Sequence, residues 1–262
     1  MYERTIPKSL ATVVAELEAG QKRLINQAEI AKAAGLQPST RETRKLVERL
    51  RTHGWIRALP VRGSYEFLPA EAGPHPSGDR WTELRAALKR DPKLPVQIVL
   101  HSAAFIRGFA DRFPVPDQVA VGRETISRGL ASVYNVIRTG PARLGGATVE
   151  DGVPVSTVER LPLEVVWWWS EAGDLRNPEH WVGEALRKSN QKRLIELVVA
   201  QGPTMVARCG YLAERFGAVE IAKRLEGLPR RGPTWIGPRS KPSNFNSRWK
   251  VYDSVGVAHG GR

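Results

Sequence analysis

Apolar residues recur with a helical period over the first fifty positions and with a period of two directly after them. Leu10, Val13, Val14 and Leu17 fall at i, i+3, i+4 and i+7, the stripe of an amphipathic helix that Gly20 stops. From Asn26 to Ala34, Ile30 and Ala31 point inward with Ala34 close behind, and Gly35-Leu36 turns the chain, which predicts a second helix of about two turns. Ser39 followed by Glu42 has the spacing of a capping box, in which each side chain satisfies a free backbone N–H of a helix start. The third helix it opens carries a buried stripe of Thr43, Leu46, Val47 and Leu50 and ends at His53-Gly54. Trp55–Leu59 and Tyr65–Leu68 then read as two short strands, joined by a tight turn through Val61-Arg62-Gly63-Ser64. Helix, helix, turn, helix, two-stranded ribbon is the order of a winged helix-turn-helix.

Residues Pro69 to Gly78 hold three Pro and two Gly without apolar periodicity, the composition of a linker. The pattern therefore predicts an α+β protein: a winged helix-turn-helix over 1–68, a linker over 69–78, a larger mixed domain over 79–256 and a fraying tail over 257–262. In the larger domain a helix over Trp81–Arg90 precedes a β-rich Val96–Leu100, and His101-Ser102 begins a helix running to about Phe109. Val119–Val121 and parts of Val133–Ile137 and Gly146–Val155 read as strands. Ser156 and Glu159 suggest a second capping box before a helix through Leu161, Val165 and Trp168, with Pro162 placed to kink it. Two long helices near 178–201 and 203–225 and a closing strand, Trp249–Tyr252, complete the expectation.

Charge adds a partner class. The chain carries 40 Lys/Arg against 27 Asp/Glu, a formal +13, which suits a polyanion. Residues 1–70 hold 12 basic against 7 acidic side chains, 71–173 hold 12 against 12, and 174–262 hold 16 against 8, so the excess lies at the two ends. The start lacks the basic and apolar regions of a signal peptide and no apolar run reaches bilayer length, which predicts a cytoplasmic protein with no membrane partner. One cysteine, Cys209, rules out an internal disulfide and a Cys-based zinc site, and it falls in step with Val206, Ala213 and Phe216 as a buried structural thiol.

Removing the buried stripe from the third helix leaves Arg41, Arg44 and Lys45 in its first two turns, where base edges are reached. Ser39 and Thr40 at the helix start, Arg49 further along, and Arg57, Arg62 and Tyr65 on the ribbon complete a candidate DNA-binding set. A possible second basic surface comprises Arg187, Lys188, Lys192 and Arg193 on one outward face and Arg208 and Arg215 on the next helix. Against these stand a three-helix module for protein contacts and an ordinary solvated face. No phosphate loop, zinc-protease motif or nucleophile elbow is present, and the five histidines are scattered, so no enzymatic activity, cofactor or metal is expected. Asp117, Glu150, Asp151, Glu159 and Glu164 are the acids a metal-dependent nuclease would use, without spacing that singles them out. Of Trp167-Trp168-Trp169, side chains about 100° apart on a helix, one or two belong in a core and one faces outward.

Several short stretches, in order along nearly the whole chain, resemble the AbiEi family of antitoxins, of toxin–antitoxin operons linked to abortive phage infection. They are Arg62–Leu68, His101–Phe109, Pro154–Arg160, Ala207–Leu212 and Asn246–Val251. The resemblance implies a cognate toxin of nucleotidyltransferase type and autorepression through inverted repeats of a double-stranded operator. Arg41, Arg44, Lys45 and Arg62 would then be operator contacts, and the second domain would oppose the toxin. A ligand-responsive winged-helix regulator and a nuclease with a DNA-recognition head are the rival readings.

Overall fold

A computed structural model of the chain describes residues 6–72, 78–122, 128–168, 178–239 and 243–254. It is a mixed α/β protein of two compact units, one drawn from Met1–Leu94 and Ile126–Ser132, the other from Pro95–Thr125 and Val133–Arg262.

In the first unit α1 (Lys8–Ala19) is followed by β1 (Leu24–Asn26), α2 (Gln27–Ala33), α3 (Arg41–Thr52), β2 (Ile56–Ala58) and β3 (Ser64–Phe67). The predicted stripes are the buried ones: Leu10, Val13, Val14 and Leu17 of α1 and Leu46, Val47 and Leu50 of α3 meet Ile25, Ile30, Trp55, Ile56 and Phe67 in one apolar core. Each such side chain withdrawn from water stabilises the unit by roughly 1.5–3 kcal/mol. The strands pair antiparallel in the order β1-β3-β2, with Ile25 opposite Tyr65 and Arg57 opposite Glu66. The β2–β3 turn holds Gly63 at φ +75°, which a side chain would oppose. Strand β1 is absent from the sequence expectation, because three residues are too short to display a period.

One cap is new and one expected cap moves. Asn26 and Glu29 form the capping box of α2, each side chain bonded to the other's backbone N–H at 2.9 Å. Ser39 does not cap α3: it sits at φ +66° in the preceding turn, and Thr40 takes the cap, its hydroxyl accepting from the Thr43 N–H at 3.2 Å. Thr43, whose hydroxyl donates to the Gln37 carbonyl at 2.7 Å, fixes that turn.

The expected division at 69–78 also moves. Helix α4 (Thr82–Arg90) belongs to the first unit, where Arg57 reaches Glu83 at 3.2 Å and the Lys89 ammonium donates to the Leu24 carbonyl at 3.0 Å. Pro69 and the short 3₁₀ turn Ala70–Ala72 stay with the first unit as well, and the Ala70 N–H donates to Glu18 at 2.9 Å. Residues 73–77 of the predicted linker and the 257–262 tail lie outside the described residues.

The second unit holds a five-stranded mixed sheet, β6-β5-β4-β8-β7, built from β4 (Val96–Ile98), β5 (Gln118–Gly122), β6 (Asn135–Thr139), β7 (Ala147–Glu150) and β8 (Val153–Ser156). Helix α5 (Leu100–Ile106) follows β4, and the four-residue α6 (Arg128–Ala131) returns to the first unit. The Ser156-Glu159 capping box does not form. Ser156 lies inside β8 and its hydroxyl donates to the buried Glu164 carboxylate, while Glu159 accepts from the Asn190 N–H at 3.1 Å. Pro162 occupies the first turn of α7 (Leu161–Trp168), where its missing N–H costs nothing and no kink is called for.

The two long helices expected near 178–201 and 203–225 are four: α8 (Pro178–Lys188), α9 (Gln191–Ala200), α10 (Pro203–Arg215) and α11 (Val219–Glu226). The Asn190 side chain starts α9 by accepting from the Arg193 N–H at 3.1 Å, and Gly217 at φ +70° ends the α10 turn. A second sheet, β10-β11-β9, consists of β9 (Thr234–Ile236), β10 (Asn244–Asn246) and β11 (Val251–Asp253), the last lying slightly later than predicted. It packs on α10, where Gly210 leaves room for the Trp249 indole; a Cβ there would sit 2.0 Å from the ring. Cys209, on the same helix, is buried, and that burial pushes its thiol up to about 12.

Candidate nucleic-acid interface

Helix α3 presents one continuous polar face because its apolar positions are consumed by the core. Arg41, Arg44, Lys45 and Arg49 are all exposed, with Glu42, Glu48 and Arg51 among them. The Arg44 guanidinium folds back to donate to the Ser39 carbonyl at 3.3 Å, which brings its charge over the turn before the helix. Arg49 is partly committed, donating to the Ser9 hydroxyl of α1, and Arg51 pairs with Glu48 at 2.8 Å.

An open groove of about 620 Å³ runs beside the start of α3 within the first unit. Its walls are Leu24–Gln27, Ser39 and Arg44 on one side, the β2–β3 turn from Arg62 to Tyr65 on another, and Ala86, Lys89 and Arg90 of α4 on a third. Four cations from three elements therefore line it: Arg44, Arg62, Lys89 and Arg90. The Arg90 guanidinium approaches the Arg62 carbonyl at 3.5 Å, and Lys89 contacts Glu29 at 2.7 Å. Burial works to raise the Glu29 pKa, but hydrogen bonds from Lys89, the Asn26 N–H and Lys22 outweigh it and hold the carboxyl below its usual range. Tyr65 serves both purposes, packing on the apolar core and showing an edge to the groove.

Ser39, Arg44, Arg62 and Tyr65 thus come together as expected of one surface, and Arg41, Lys45 and Thr40 lie on the adjoining helix start. Arg57 does not join them. Its Nε donates to Glu66 at 2.8 Å and its NH2 lies 3.2 Å from Glu83, both carboxylates being buried. Burial works against the charge of Arg57, but the Glu66 and Glu83 carboxylates raise its pKa overall, so it is a structural cation. Lys89 and Arg90 are groove residues outside the sequence expectation; their signal is a Lys-Arg pair closing a helix that the Pro- and Gly-rich stretch assigns to the other domain.

The proposed second basic surface separates into two kinds of residue. Arg187, Lys188, Lys192 and Arg193 are exposed, although Arg187 donates to the Phe216 carbonyl at 3.4 Å and Lys188 pairs with Glu184 at 2.7 Å. Arg208 and Arg215 do not share that outer face: Arg208 donates to the Thr234 hydroxyl at 2.7 Å and Arg215 pairs with the buried Asp253, tying α10 to the small sheet.

The acids considered for a nuclease are dispersed into structural bonds. Asp117 accepts from the Ser102 hydroxyl at 3.0 Å, Glu150 pairs with Arg107 at 2.8 Å, Asp151 sits in the β7–β8 turn at φ +46°, and Glu164 accepts from the Leu100 N–H at 2.9 Å. Among the described residues no three His, Cys, Asp or Glu side chains are grouped to hold a metal ion. Trp168 is in the core, the Trp167 ring has the guanidinium groups of Arg160 and Arg143 at 4.9 and 5.7 Å from its centroid, and Trp169 lies outside the described residues. Among the described residues no helix is long and apolar enough to cross a membrane.

No protein-family model and no curated protein sequence matches the chain. Among solved structures, the chain is similar in fold to the crystal structure of the RV2827C protein from Mycobacterium tuberculosis, with a TM-score of 0.79 and 22% identity over 97% of this chain and 94% of that one.

Proposed function

We propose that this chain is a transcriptional autorepressor and antitoxin, whose first unit is a winged helix-turn-helix that grips double-stranded operator DNA. The observation that carries the DNA-binding reading is the convergence of Arg44, Arg62, Lys89 and Arg90 on one groove beside the exposed Arg41 and Lys45 of α3. In a winged helix the third helix enters the major groove and the hairpin turn meets the flanking backbone, so cations are needed at both places at once. On this reading Arg41 and Lys45 meet base edges, Arg44 and Arg62 meet the phosphates between helix and wing, and Arg90 meets the phosphate track beyond the wing, with Lys89 held beside it by Glu29. The antitoxin half rests on the family resemblance of the sequence stretches given above.

Gel shift on the region upstream of the chain's own gene tests the first half. Arg44→Ala/Lys45→Ala should weaken binding at least tenfold, and Arg62→Ala/Arg90→Ala should lower the slope of log affinity against log salt by nearly two. Equal affinity for random DNA, together with no effect of either pair, would sink the repressor reading. For the second half, co-expression with the neighbouring gene should relieve a growth arrest that the neighbour causes; an arrest left unchanged counts against an antitoxin.

A further inference from the structure

The stretch from Arg230 to Ser254 holds six Lys/Arg, one acid (Asp253) and four aromatics, and it forms the sheet β10-β11-β9. Alternation divides that sheet sharply. Thr234, Ile236, Val251 and Asp253 are buried against the helices, whereas Trp235, Phe245 and Tyr252 lie on the opposite face. The register sets Tyr252 beside both Phe245 and Trp235. Ring centroids are 4.5 Å apart for Trp235–Tyr252, with planes 17° apart, and 4.7 Å for Phe245–Tyr252. These distances match the separation of neighbouring strands, about 4.7–4.9 Å, so the rings stand as a column across the sheet. At the β10 end of the column Phe245 is 51% exposed among the described residues.

The acid of this stretch is turned inward and its exposed cations are not neutralised by it. Asp253 faces inward, accepting from the Tyr211 hydroxyl at 2.7 Å and pairing with Arg215, and so contributes no negative charge to the outer face. Arg231, Arg239 and Lys250 are exposed and, among the described residues, have no carboxylate partner. Arg208, by contrast, is on the helix side of β9, where it donates to the buried Thr234 hydroxyl at 2.7 Å. Cross-strand packing accounts for Trp235 and Tyr252 but gives no reason for an open Phe245 ring at the β10 end of the column, while Lys250, against Gly232 just before β9, lies towards the other end. Open aromatic faces beside cations fit a chain of exposed bases and phosphates; duplex DNA keeps its base faces inside its own stack.

We propose that the outer face of this sheet is a stacking platform for single-stranded nucleic acid, in which a base continues the Trp235–Tyr252–Phe245 column and Arg231, Arg239 and Lys250 meet the phosphates. This reading is independent of operator binding by the first unit.

The test is fluorescence anisotropy of the full chain with labelled eight-nucleotide strands, oligo-U and oligo-dT, in the presence of excess unlabelled mixed-sequence duplex. Binding should survive the duplex, weaken on the order of tenfold in Phe245→Leu and remain near wild type in Phe245→Tyr, which keeps an aromatic face. Tighter binding of oligo-U would name RNA as the source, and equal or tighter binding of oligo-dT would extend the platform to DNA. Unchanged thermal unfolding of Phe245→Leu keeps a lost signal from being lost fold. The proposal is overturned if neither strand binds, if duplex displaces both completely, or if Phe245→Leu equals wild type. Concentration-dependent self-association lost in Phe245→Leu, without strand binding, would overturn it in favour of a second copy of the chain.

Discussion

Arg57→Ala separates a structural cation from a DNA contact. The side chain, 38% exposed as a whole, bridges Glu66, which is 0% exposed, and Glu83, which is 10% exposed. Removing one partner from a fully buried ion pair costs about 3–5 kcal/mol, because the remaining charge keeps its desolvation penalty. Here water reaches the guanidinium edge and refills part of the space, so a loss of roughly 2–3 kcal/mol is the better expectation. That is a large share of the stability of a small unit, about 5–15 kcal/mol. Urea unfolding of the full chain should show an early transition, and amide exchange in β2, β3 and the residues flanking them, such as the Leu68 N–H bonded to the Trp55 carbonyl at 2.9 Å, should quicken on the order of a hundredfold. Adding Glu66→Gln should recover about 1 kcal/mol, since the variant then buries one charge fewer. If Arg57→Ala leaves unfolding and exchange unchanged while operator affinity falls, the guanidinium belongs to the interface and the reasoning here fails.

Three further outcomes follow from packing and burial in the second unit. Gly210→Ala should destabilise it by at least about 1–3 kcal/mol, read as a lowered melting temperature, because the new methyl lands 2.0 Å from the Trp249 ring. Cys209, with its thiol pushed up to about 12 by burial, should resist a thiol-specific reagent at pH 8 and react in step with unfolding. Burial lowers the His101 pKa below its ordinary 6.5 despite the bond to the Arg112 carbonyl, so the unfolded chain binds the proton more readily. Stability should therefore decline as pH falls through 6.5, and His101→Gln should flatten that decline in urea midpoints taken from pH 7 to 5.

Apolar periodicity located the helices of the first unit because each stripe serves one core. The positions predicted inward on α1 and α3 are the buried ones, and Asn26–Ala34 became α2 almost residue for residue. Polar spacing was weaker evidence, since the same pattern permits several partners. Ser39 and Glu42 have the capping interval, but so do Thr40 and Thr43, and the buried Thr43 hydroxyl decides by reaching Gln37. Ser156 and Glu159 have it again, yet a strand carries Ser156 inward to Glu164. The division between units was misread for a related reason. Pro and Gly marked where the chain lacks regular structure, whereas the allegiance of α4 is decided by Lys89 and Glu83 finding partners far away in sequence.

Net charge is legible from sequence only as a total, and its use depends on which cations find carboxylates. On the first unit Arg57 is taken by Glu66 and Glu83, Arg51 by Glu48 and Arg49 by a hydroxyl of α1, while Arg41 and Lys45 remain outward and Arg44 and Arg62 turn to the groove. On the second, Arg215 is held by Asp253 and Arg248 by Glu214 and Glu226, which removes both from any polyanion surface. Counting the 12 basic residues of positions 1–70 therefore overstates the electrostatic footprint. The salt dependence of binding reports the cations left over, one released counterion for each phosphate met. Lys89 is held by Glu29, so a slope near three would match Arg44, Arg62 and Arg90 acting alone, and a steeper one would require Arg41 and Lys45 to meet phosphates as well as bases.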